Sequence, residues 1–228
     1  KVFKLNFFET NMTEIIKLKV KHFLPITGYF EICKYNSEGK ASKYRLSDKL
    51  TSSMNQDKLA EFYESEKQKG NPIPLNSIQV MELLEDAVNS KNNELKNYIH
   101  KSLRENWINT LSRVVYKPAN QEDEVIHNYG TFDAYSIVGD IVGKDGRIKD
   151  INNPNALESI LKTKDIKKLN EISNAINSTP MSFWRINSKP KEKTERVVGF
   201  SADDSRLYLD ADGCLSSGNP AFLVERIE

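Results

Sequence analysis

The stretch that decides the fold class runs from Arg196 to Asp210 and reads RVVGFSADDSRLYLD. Its two ends, Arg196–Ser201 and Arg206–Asp210, are rich in β-branched and aromatic residues, which favour strands. Only the residues Ala202–Ser205 separate them, and two of these are aspartates, which suit a turn. Strands joined by so short a connection pair antiparallel. We therefore predict a hairpin here, within a mostly antiparallel sheet.

The rest of the C-terminal half, about residues 123–228, continues this pattern outward from the hairpin. Strand-like runs and two helical stripes alternate with brief turns. The predicted strands are Glu124–His127, Tyr135–Val142, Ser182–Ile186 and Ala221–Ile227, and the predicted helices are Asn155–Lys162 and Ile166–Ile176. This half is expected to be an antiparallel sheet with one or two packed helices, as in the α+β class.

The N-terminal half, residues 1–118, reads as a β-hairpin followed by helices. The strands are predicted at Glu14–His22, Tyr29–Tyr35 and Ser42–Leu46, with a turn at Asn36–Gly39. The helices are predicted at Asp57–Lys69, from Asn76 or Ser77 onward, and from Asn92 to about Leu111. We therefore expect a helix-rich half opened by a hairpin. The polar segment Asn120–Glu124 marks a boundary, and the pattern leaves open whether the halves share one core.

The composition favours a packed protein with no dominant charge. Hydrophobic residues make up 38% of the 228 residues, and the formal net charge is +1. A dedicated nucleic-acid-binding protein usually carries a basic excess or a basic face, so any such face has to be local here. No apolar run approaches the ~18–20 residues that a membrane span needs. We therefore predict no membrane-spanning segment.

The two cysteines, Cys33 and Cys214, indicate the cellular compartment. They are too few for a disulfide framework or for a zinc site made of thiolates. Free thiols are typical of a reducing compartment, so we predict a cytoplasmic protein. The sequence starts at Lys1 rather than Met, which leaves the removal of an N-terminal segment open.

The sharpest local motif is Leu207–Leu215, which reads LYLDADGCL. A strand that runs into Asp-x-Asp-Gly resembles the first motif of the haloacid dehalogenase-like phosphatases. The resemblance implies that Asp210 is a nucleophile and Asp212 a general acid/base beside a magnesium ion. Downstream of Leu215 no Lys or Asp follows, and Cys214 stands where the family usually has Thr. The alternative interpretation is a polar turn after an edge strand.

The acidic residues around this motif also suggest a divalent-cation site. Asp203, Asp204, Asp210 and Asp212 supply the hard oxygen ligands that calcium and magnesium prefer. An EF-hand loop needs a glutamate at its twelfth position, but the twelfth residue counted from Asp210 is Ala221. The four aspartates are therefore candidate metal ligands without a matching loop motif, and we predict no cofactor.

His127 is the one histidine in a cluster of functional side chains, the segment Val125–Gly130. It is a candidate general base, with Asn128 and Tyr129 placed to orient a substrate. The structural interpretation is a strand residue that enters a glycine-marked turn. The spacing to the other two histidines, His22 and His100, matches no metal-ligand pair.

A region of aromatic and basic residues follows at Phe183–Lys193. Aromatic rings interleaved with cations hold single-stranded nucleic acid, because bases stack and phosphates pair with the charges. The candidate ligand-binding residues are Trp184, Arg185, Lys189, Lys191 and Arg196. A second basic face is suggested by the alternating lysines Lys17, Lys19 and Lys21, which equally fit an edge strand protected by charge.

These observations lead to three functional hypotheses. The first is a non-enzymatic binding or interaction protein with another protein as partner, because the sequence contains no glycine-rich phosphate loop, G-x-S-x-G or H-E-x-x-H motif. The second is a nucleic-acid-associated protein that uses the basic and aromatic surface. The third is a metal-dependent hydrolase that uses Asp210 and Asp212.

Overall fold

A computed structural model describes residues 14–18, 28–35, 41–151 and 154–227. Within these ranges the chain forms five α-helices, one short 3-10 helix and two mostly antiparallel sheets. The predicted α+β class with antiparallel sheets is confirmed. None of the described helices is long and apolar enough to cross a membrane. Residues 19–22 of the predicted first strand and the predicted turn Asn36–Gly39 lie outside the described residues.

The elements follow one another along the chain with short connections. The strands are β1 Glu14–Leu18, β2 Tyr29–Tyr35, β3 Ala41–Ser47, β4 Ile73–Pro74, β5 Ile108–Tyr116, β6 Asp123–His127, β7 Tyr135–Gly139, β8 Gly146–Arg147, β9 Met181–Trp184, β10 Thr194–Ala202, β11 Leu207–Gly213 and β12 Leu223–Arg226. The helices are α1 Gln56–Gln68, α2 Ser77–Asn89, α3 Asn93–Glu105, α4 Asn155–Leu161 and α5 Ile166–Asn177, with the 3-10 turn at Ile148–Asp150.

The larger sheet has the strand order β7-β6-β5-β10-β11-β9-β8. Strands β10 and β11 form the predicted antiparallel hairpin, in which Phe200 lies opposite Leu209. One pair departs from the antiparallel pattern, because β9 runs parallel to β11 and places Trp184 beside Asp210. Parallel neighbours require a crossover connection, and the chain provides it through β10, which lies on the far side of β11.

The smaller sheet has the order β1-β2-β3-β12-β4 and corrects one expectation. The strand predicted at Ala221–Ile227 was assigned to the sheet of the C-terminal half. The observed strand β12 instead pairs with β3 and β4 of the N-terminal half. The division into a helix-rich half and a sheet half therefore describes the fold poorly, since the two ends of the chain build one sheet together.

The helix predicted from Asn92 to about Leu111 is too long. Helix α3 ends at Glu105, and the strand β5 begins at Ile108. Every residue of β5 is buried. A strand that is buried on both faces loses the alternation of polar and apolar residues, so Ile108 and Leu111 fit a helical period equally well.

The buried polar side chains of β5 tie it to helix α1 and to the neighbouring strand β10. Arg113 donates from Nε to Gln56 Oε1 at 2.7 Å and from Nη2 to Asp57 Oδ1 at 2.9 Å, and both acceptors lie in α1. Thr110 donates to the Val198 carbonyl at 2.6 Å. Buried polar groups cost free energy unless they are hydrogen-bonded, so these contacts specify where α1 and β10 lie.

The hydrophobic core draws on the whole described chain. One cluster of buried apolar side chains contains Phe30 and Leu84 from the first half together with Phe183 and Leu209 from the second. It fills the space between the helices α2, α3, α4 and α5 and the two sheets. A smaller cluster, which includes Leu59 and Leu111, packs α1 on the opposite face of β5.

Trp107, in the short link between α3 and β5, packs against a glycine of the sheet. A Cβ atom placed on Gly199 would lie 2.3 Å from the indole ring of Trp107. We expect the substitution Gly199→Ala to lower the free energy of unfolding by about 1–3 kcal/mol, because the ring cannot retain its position. The measurement is urea unfolding followed by circular dichroism. The matched control is Gly146→Ala in β8, where no atom lies within 4 Å of the new methyl group. Equal stability of the two variants would contradict the packing.

Candidate functional site

Asp210 and Asp212 lie inside β11 and not in a turn after an edge strand. Alternate residues of β11 are buried, so the two aspartates share the outer face. Asp210 accepts hydrogen bonds from Trp107 Nε1 at 3.1 Å and from the Asp212 amide at 2.7 Å. Asp212 forms an ion pair with Arg196 Nε at 2.8 Å. Burial raises the pKa of the Asp210 carboxyl, and the two hydrogen bonds oppose that shift.

Asp203 and Asp204 lie at the other end of the hairpin, in the turn between β10 and β11. Asp203 Oδ2 accepts a hydrogen bond from the Tyr208 hydroxyl, and its Oδ1 accepts from the amides of Ser205 and Arg206. These bonds hold the pKa of the Asp203 carboxyl well below its usual range, with the Tyr208 hydroxyl as the largest cause. Asp204 pairs with Arg104 of α3.

The four aspartates predicted as metal ligands are thus divided between the two ends of one hairpin. Each accepts hydrogen bonds from neighbouring groups, which use the oxygen lone pairs that a cation would need. Among the described residues, no group of three or more His, Cys, Asp or Glu side chains could hold a metal ion. The geometry therefore gives the hydrolase hypothesis no additional support.

His127 is fully buried and lies in a network of hydroxyl groups. Its Nε2 lies 3.0 Å from the Ser159 carbonyl oxygen, which can only accept, so Nε2 carries the proton. Its Nδ1 then accepts from Ser112 Oγ at 2.9 Å, and Ser112 Oγ accepts from the Ser77 amide at the start of α2. Burial lowers the pKa of His127. The side chain joins β5, β6, α2 and α4 and has no exposed surface through which a substrate could reach it.

Of the aromatic and basic region, Trp184 is exposed and Arg185 is not. The Trp184 ring contacts Tyr208 edge to face, with centroids 5.0 Å apart. Arg185 is only 9% exposed, stacks on the Phe183 ring and donates from Nη1 to the Ile141 carbonyl at 3.0 Å. Its Nε is buried without a partner among the described residues. The side chains of Trp184 and Arg185 therefore lie in different environments, one in solvent and one buried.

Lys189 forms an ion pair that stabilises the fold. Its Nζ lies 2.8 Å from Oδ1 of Asp123, a carboxylate with no exposed surface, and also donates to the Gln121 carbonyl. Asp123 further accepts hydrogen bonds from the amides of Lys117 and Ile141. The polar segment Asn120–Glu124 that marked the predicted boundary is thereby anchored between β5 and the residues after β7.

The remaining predicted cations do not assemble into one surface with these. Lys191 is exposed and makes no ion pair within the described ranges. Lys17 lies in β1, while Lys19 and Lys21 lie outside the described residues. The predicted nucleic-acid surface is thus reduced to Trp184 and Lys191, because Lys189 and Arg196 are paired with carboxylates and Arg185 is buried.

A surface that the sequence hypotheses missed lies along strand β7. Phe132 is 91% exposed, Tyr135 44% and Val138 54%. These are three of the four large hydrophobic side chains that are exposed in the described part of the chain. We call these three residues the β7 edge surface. The predicted strand Tyr135–Val142 indicated their secondary structure, but nothing in a single sequence shows that this strand lies at an edge.

The loop that carries Phe132 is held in place by α1. The Phe132 amide donates to Glu64 Oε1 at 2.8 Å, and the Tyr63 hydroxyl donates to Asp133 Oδ2 at 2.7 Å. Lys67 forms an ion pair with the same carboxylate. These contacts hold the Phe132 amide and the Asp133 side chain and leave the Phe132 ring in solvent. The exposure of the ring is therefore imposed by the fold.

The edge of β7 offers backbone hydrogen bonds as well as apolar side chains. Strand β7 pairs with β6 on one side and ends the larger sheet on the other. Natural proteins usually protect such an edge with Lys or Pro, because its free N–H and C=O groups template further pairing. The five residues of β7, YSIVG, include neither. The Val138 carbonyl accepts a hydrogen bond from Ser159 Oγ of α4 at 3.4 Å, and β7 has no second strand partner among the described residues.

Comparisons with known proteins add no information on function. No protein-family model, curated protein or solved structure matches the chain.

The buried histidine generates a pH-dependent prediction. The folded-state pKa of His127 lies below the unfolded value of about 6.5, so unfolding takes up a proton in acid. The contribution of neutral His127 to the free energy of unfolding should be complete above about pH 6.5. It should decrease as the pH falls toward the folded-state pKa.

The substitution His127→Gln should therefore lower the free energy of unfolding at pH 7.5 by about 1–3 kcal/mol, through the disturbed hydroxyl network. It should also reduce the loss of stability between pH 7.5 and 5.5. Urea unfolding at each pH measures both effects. His100→Gln, on the half-buried face of α3, is the matched histidine control and should keep the wild-type pH dependence. The same pH dependence in both variants would show that His127 is not the titrating group.

Proposed function

We propose that the protein is a non-enzymatic protein-binding module, and that it takes an extended segment of a partner protein along the free edge of β7. The observation that carries the proposal is the β7 edge surface, whose three exposed hydrophobic side chains flank the last strand of a sheet, with Tyr135 and Val138 on opposite faces of that strand. Strand addition at a sheet edge uses the backbone for pairing and the side chains on both faces for recognition.

Strand addition explains how both parts of the surface would be used. The partner backbone would pair with the free N–H and C=O groups of β7, which supplies affinity without regard to sequence. Val138 would meet the alternate side chains of the added strand. Phe132, whose amide is held by Glu64 of α1, would serve as an aromatic anchor, and the ordered loop reduces the backbone entropy lost on binding.

The charges around the surface restrict the partner. Glu64 beside Phe132 and Asp140 directly after β7 have no cation within ion-pair distance among the described residues. A partner strand with alternating apolar residues and a Lys or Arg at its ends would match this pattern. The acidic residues Glu64 and Asp140 would also disfavour pairing between two copies of β7, because like charges would then face each other.

The other hypotheses receive less support. A nucleic-acid surface would need the cations of the Phe183–Lys193 region, but Lys189 is paired with Asp123 and Arg196 with Asp212. A metal-dependent hydrolase would need carboxylates that converge. We place the protein in the cytoplasm, because Cys214 is a free and exposed thiol and such thiols persist in reducing compartments.

The experiment selects partner segments with the protein itself. Random 12-residue peptides displayed on phage are selected on the wild-type protein, and the affinities of the enriched peptides are measured by fluorescence polarisation. We expect sequences with alternating β-branched or aromatic residues and at least one Lys or Arg. The substitutions Val138→Lys and Phe132→Ser should each weaken binding at least about tenfold, because both remove apolar contact at the centre of the interface.

The matched control is Trp184→Ser, which removes an exposed aromatic ring away from β7 and should leave the affinity unchanged. All three positions are exposed, so the variants should unfold at nearly the wild-type temperature. Enriched peptides that bind Val138→Lys and the wild type equally would refute the proposal. Sedimentation that shows dimers of the wild type, abolished by Val138→Lys, would identify a second copy of this chain as the occupant instead.

A further inference from the structure

The face of the smaller sheet that packs on α2 changes from apolar to polar along its strands. Phe30 lies opposite Leu46, and both are buried in the core. Further along the strands, Tyr44 of β3 lies opposite Arg226 of β12. Since paired residues of antiparallel strands point to the same face, the apolar floor of the sheet gives way here to a guanidinium group.

A groove of about 420 Å³ opens between this end of the sheet and α2. Its volume falls in the range of small-molecule binding sites, roughly 300–1,000 Å³. The sheet contributes Lys34, Ser42, Lys43, Tyr44, Val224 and Arg226, and the other wall contributes Leu75, Gln79, Glu82 and Leu83. An apolar base with a few charged groups is the usual composition of a ligand site.

A compensated ion pair forms one end of the groove. Lys34 Nζ lies 2.7 Å from Asp86 Oδ2, and the Tyr44 hydroxyl donates to the same oxygen. Burial raises the pKa of Tyr44, so its hydroxyl stays protonated and remains a donor. Lys34 and Asp86 neutralise each other, so they add no net charge to the groove.

Three charges of the groove form no ion pair among the described residues, namely Lys43 and Arg226 on the sheet and Glu82 on α2. Arg226 stands on β12 and Glu82 on α2, and they form no ion pair with each other. In the described part of the chain, neither has another oppositely charged group within ion-pair distance. Between them lie the apolar side chains of Leu83 and Val224. A molecule with separate positive and negative groups and an apolar body would complement all of these features.

We propose that this groove binds an amphipathic zwitterion, namely an α-amino acid or short peptide with an apolar side chain. Its carboxylate pairs with Arg226, its ammonium group with Glu82, and its side chain packs on Tyr44 and the accessible part of Val224. The cavity around Arg185 is a weaker candidate, because its lining carries three aspartates and three cations and so has no net charge to select a ligand.

Isothermal titration calorimetry with three probes of the same shape tests the proposal. L-Phenylalanine carries both charges, 3-phenylpropanoate lacks the ammonium group, and 2-phenylethylamine lacks the carboxylate. We expect L-phenylalanine to bind at least about tenfold more tightly than either analogue, because each charge-assisted contact requires its own group on the ligand.

Two substitutions assign the contacts to residues. Arg226→Gln should weaken L-phenylalanine about tenfold and remove its advantage over 2-phenylethylamine. Glu82→Gln should remove its advantage over 3-phenylpropanoate. Both side chains are exposed, so neither change should alter the unfolding temperature. Lys149→Gln, an exposed cation of the 3-10 turn, is the matched control and should bind as the wild type does.

Each alternative result is decisive. Equal affinities for the three probes, or absence of L-phenylalanine binding at millimolar concentration together with absence of binding by the dipeptide Phe-Phe, would overturn the proposal. Undiminished binding in Arg226→Gln and Glu82→Gln would place the ligand elsewhere. The test is independent of the partner site, since Val138→Lys should leave L-phenylalanine binding unchanged.

Discussion

The structure depends on the burial of β5 inside the larger sheet. Its nine residues are all buried, yet its sequence, INTLSRVVY, includes an asparagine, a threonine, a serine and an arginine. Each of these groups would destabilise the core without a partner, because buried polar groups lose their hydrogen bonds to water. The surrounding elements supply partners for the side chains of Thr110, Ser112 and Arg113 and for the Asn109 Nδ2 group, while Asn109 Oδ1 has none among the described residues.

Those partners fix the elements that carry the proposed sites. Arg113 holds the start of α1 through Gln56 and Asp57, and its guanidinium also stacks on the Tyr129 ring at 3.3 Å. Helix α1 in turn holds the loop of Phe132. Ser112 binds the first amide of α2, the helix that forms one wall of the groove. The solvent-exposed surfaces are therefore positioned by hydrogen bonds at the buried centre.

Most of the side chains in this chain that could act in catalysis or binding stabilise the fold instead. His127 is hydrogen-bonded to a hydroxyl and a carbonyl, and Lys189 is paired with a buried carboxylate. Asp203 accepts hydrogen bonds within the turn that it closes. The near balance of 33 basic and 32 acidic residues makes such pairing possible throughout the chain. The informative charges are those without an ion pair among the described residues, such as Arg226 and Glu82, because a ligand of opposite charge can pair with them.

Sequence alone determined the α+β class, the β10–β11 hairpin and most helix positions, since these follow from local periodicity and turn residues. It could not place β12 in the N-terminal sheet or end α3 before β5, because strand partners and two-sided burial depend on residues far apart in the chain. The sequence indicated His127 and the aspartates as candidate site residues from their residue types. The residue type does not show which groups surround a side chain in the fold. Only the tertiary structure showed that β7 lies at an edge and that Arg226 faces Glu82 across a groove, because both facts arise where segments distant in sequence meet.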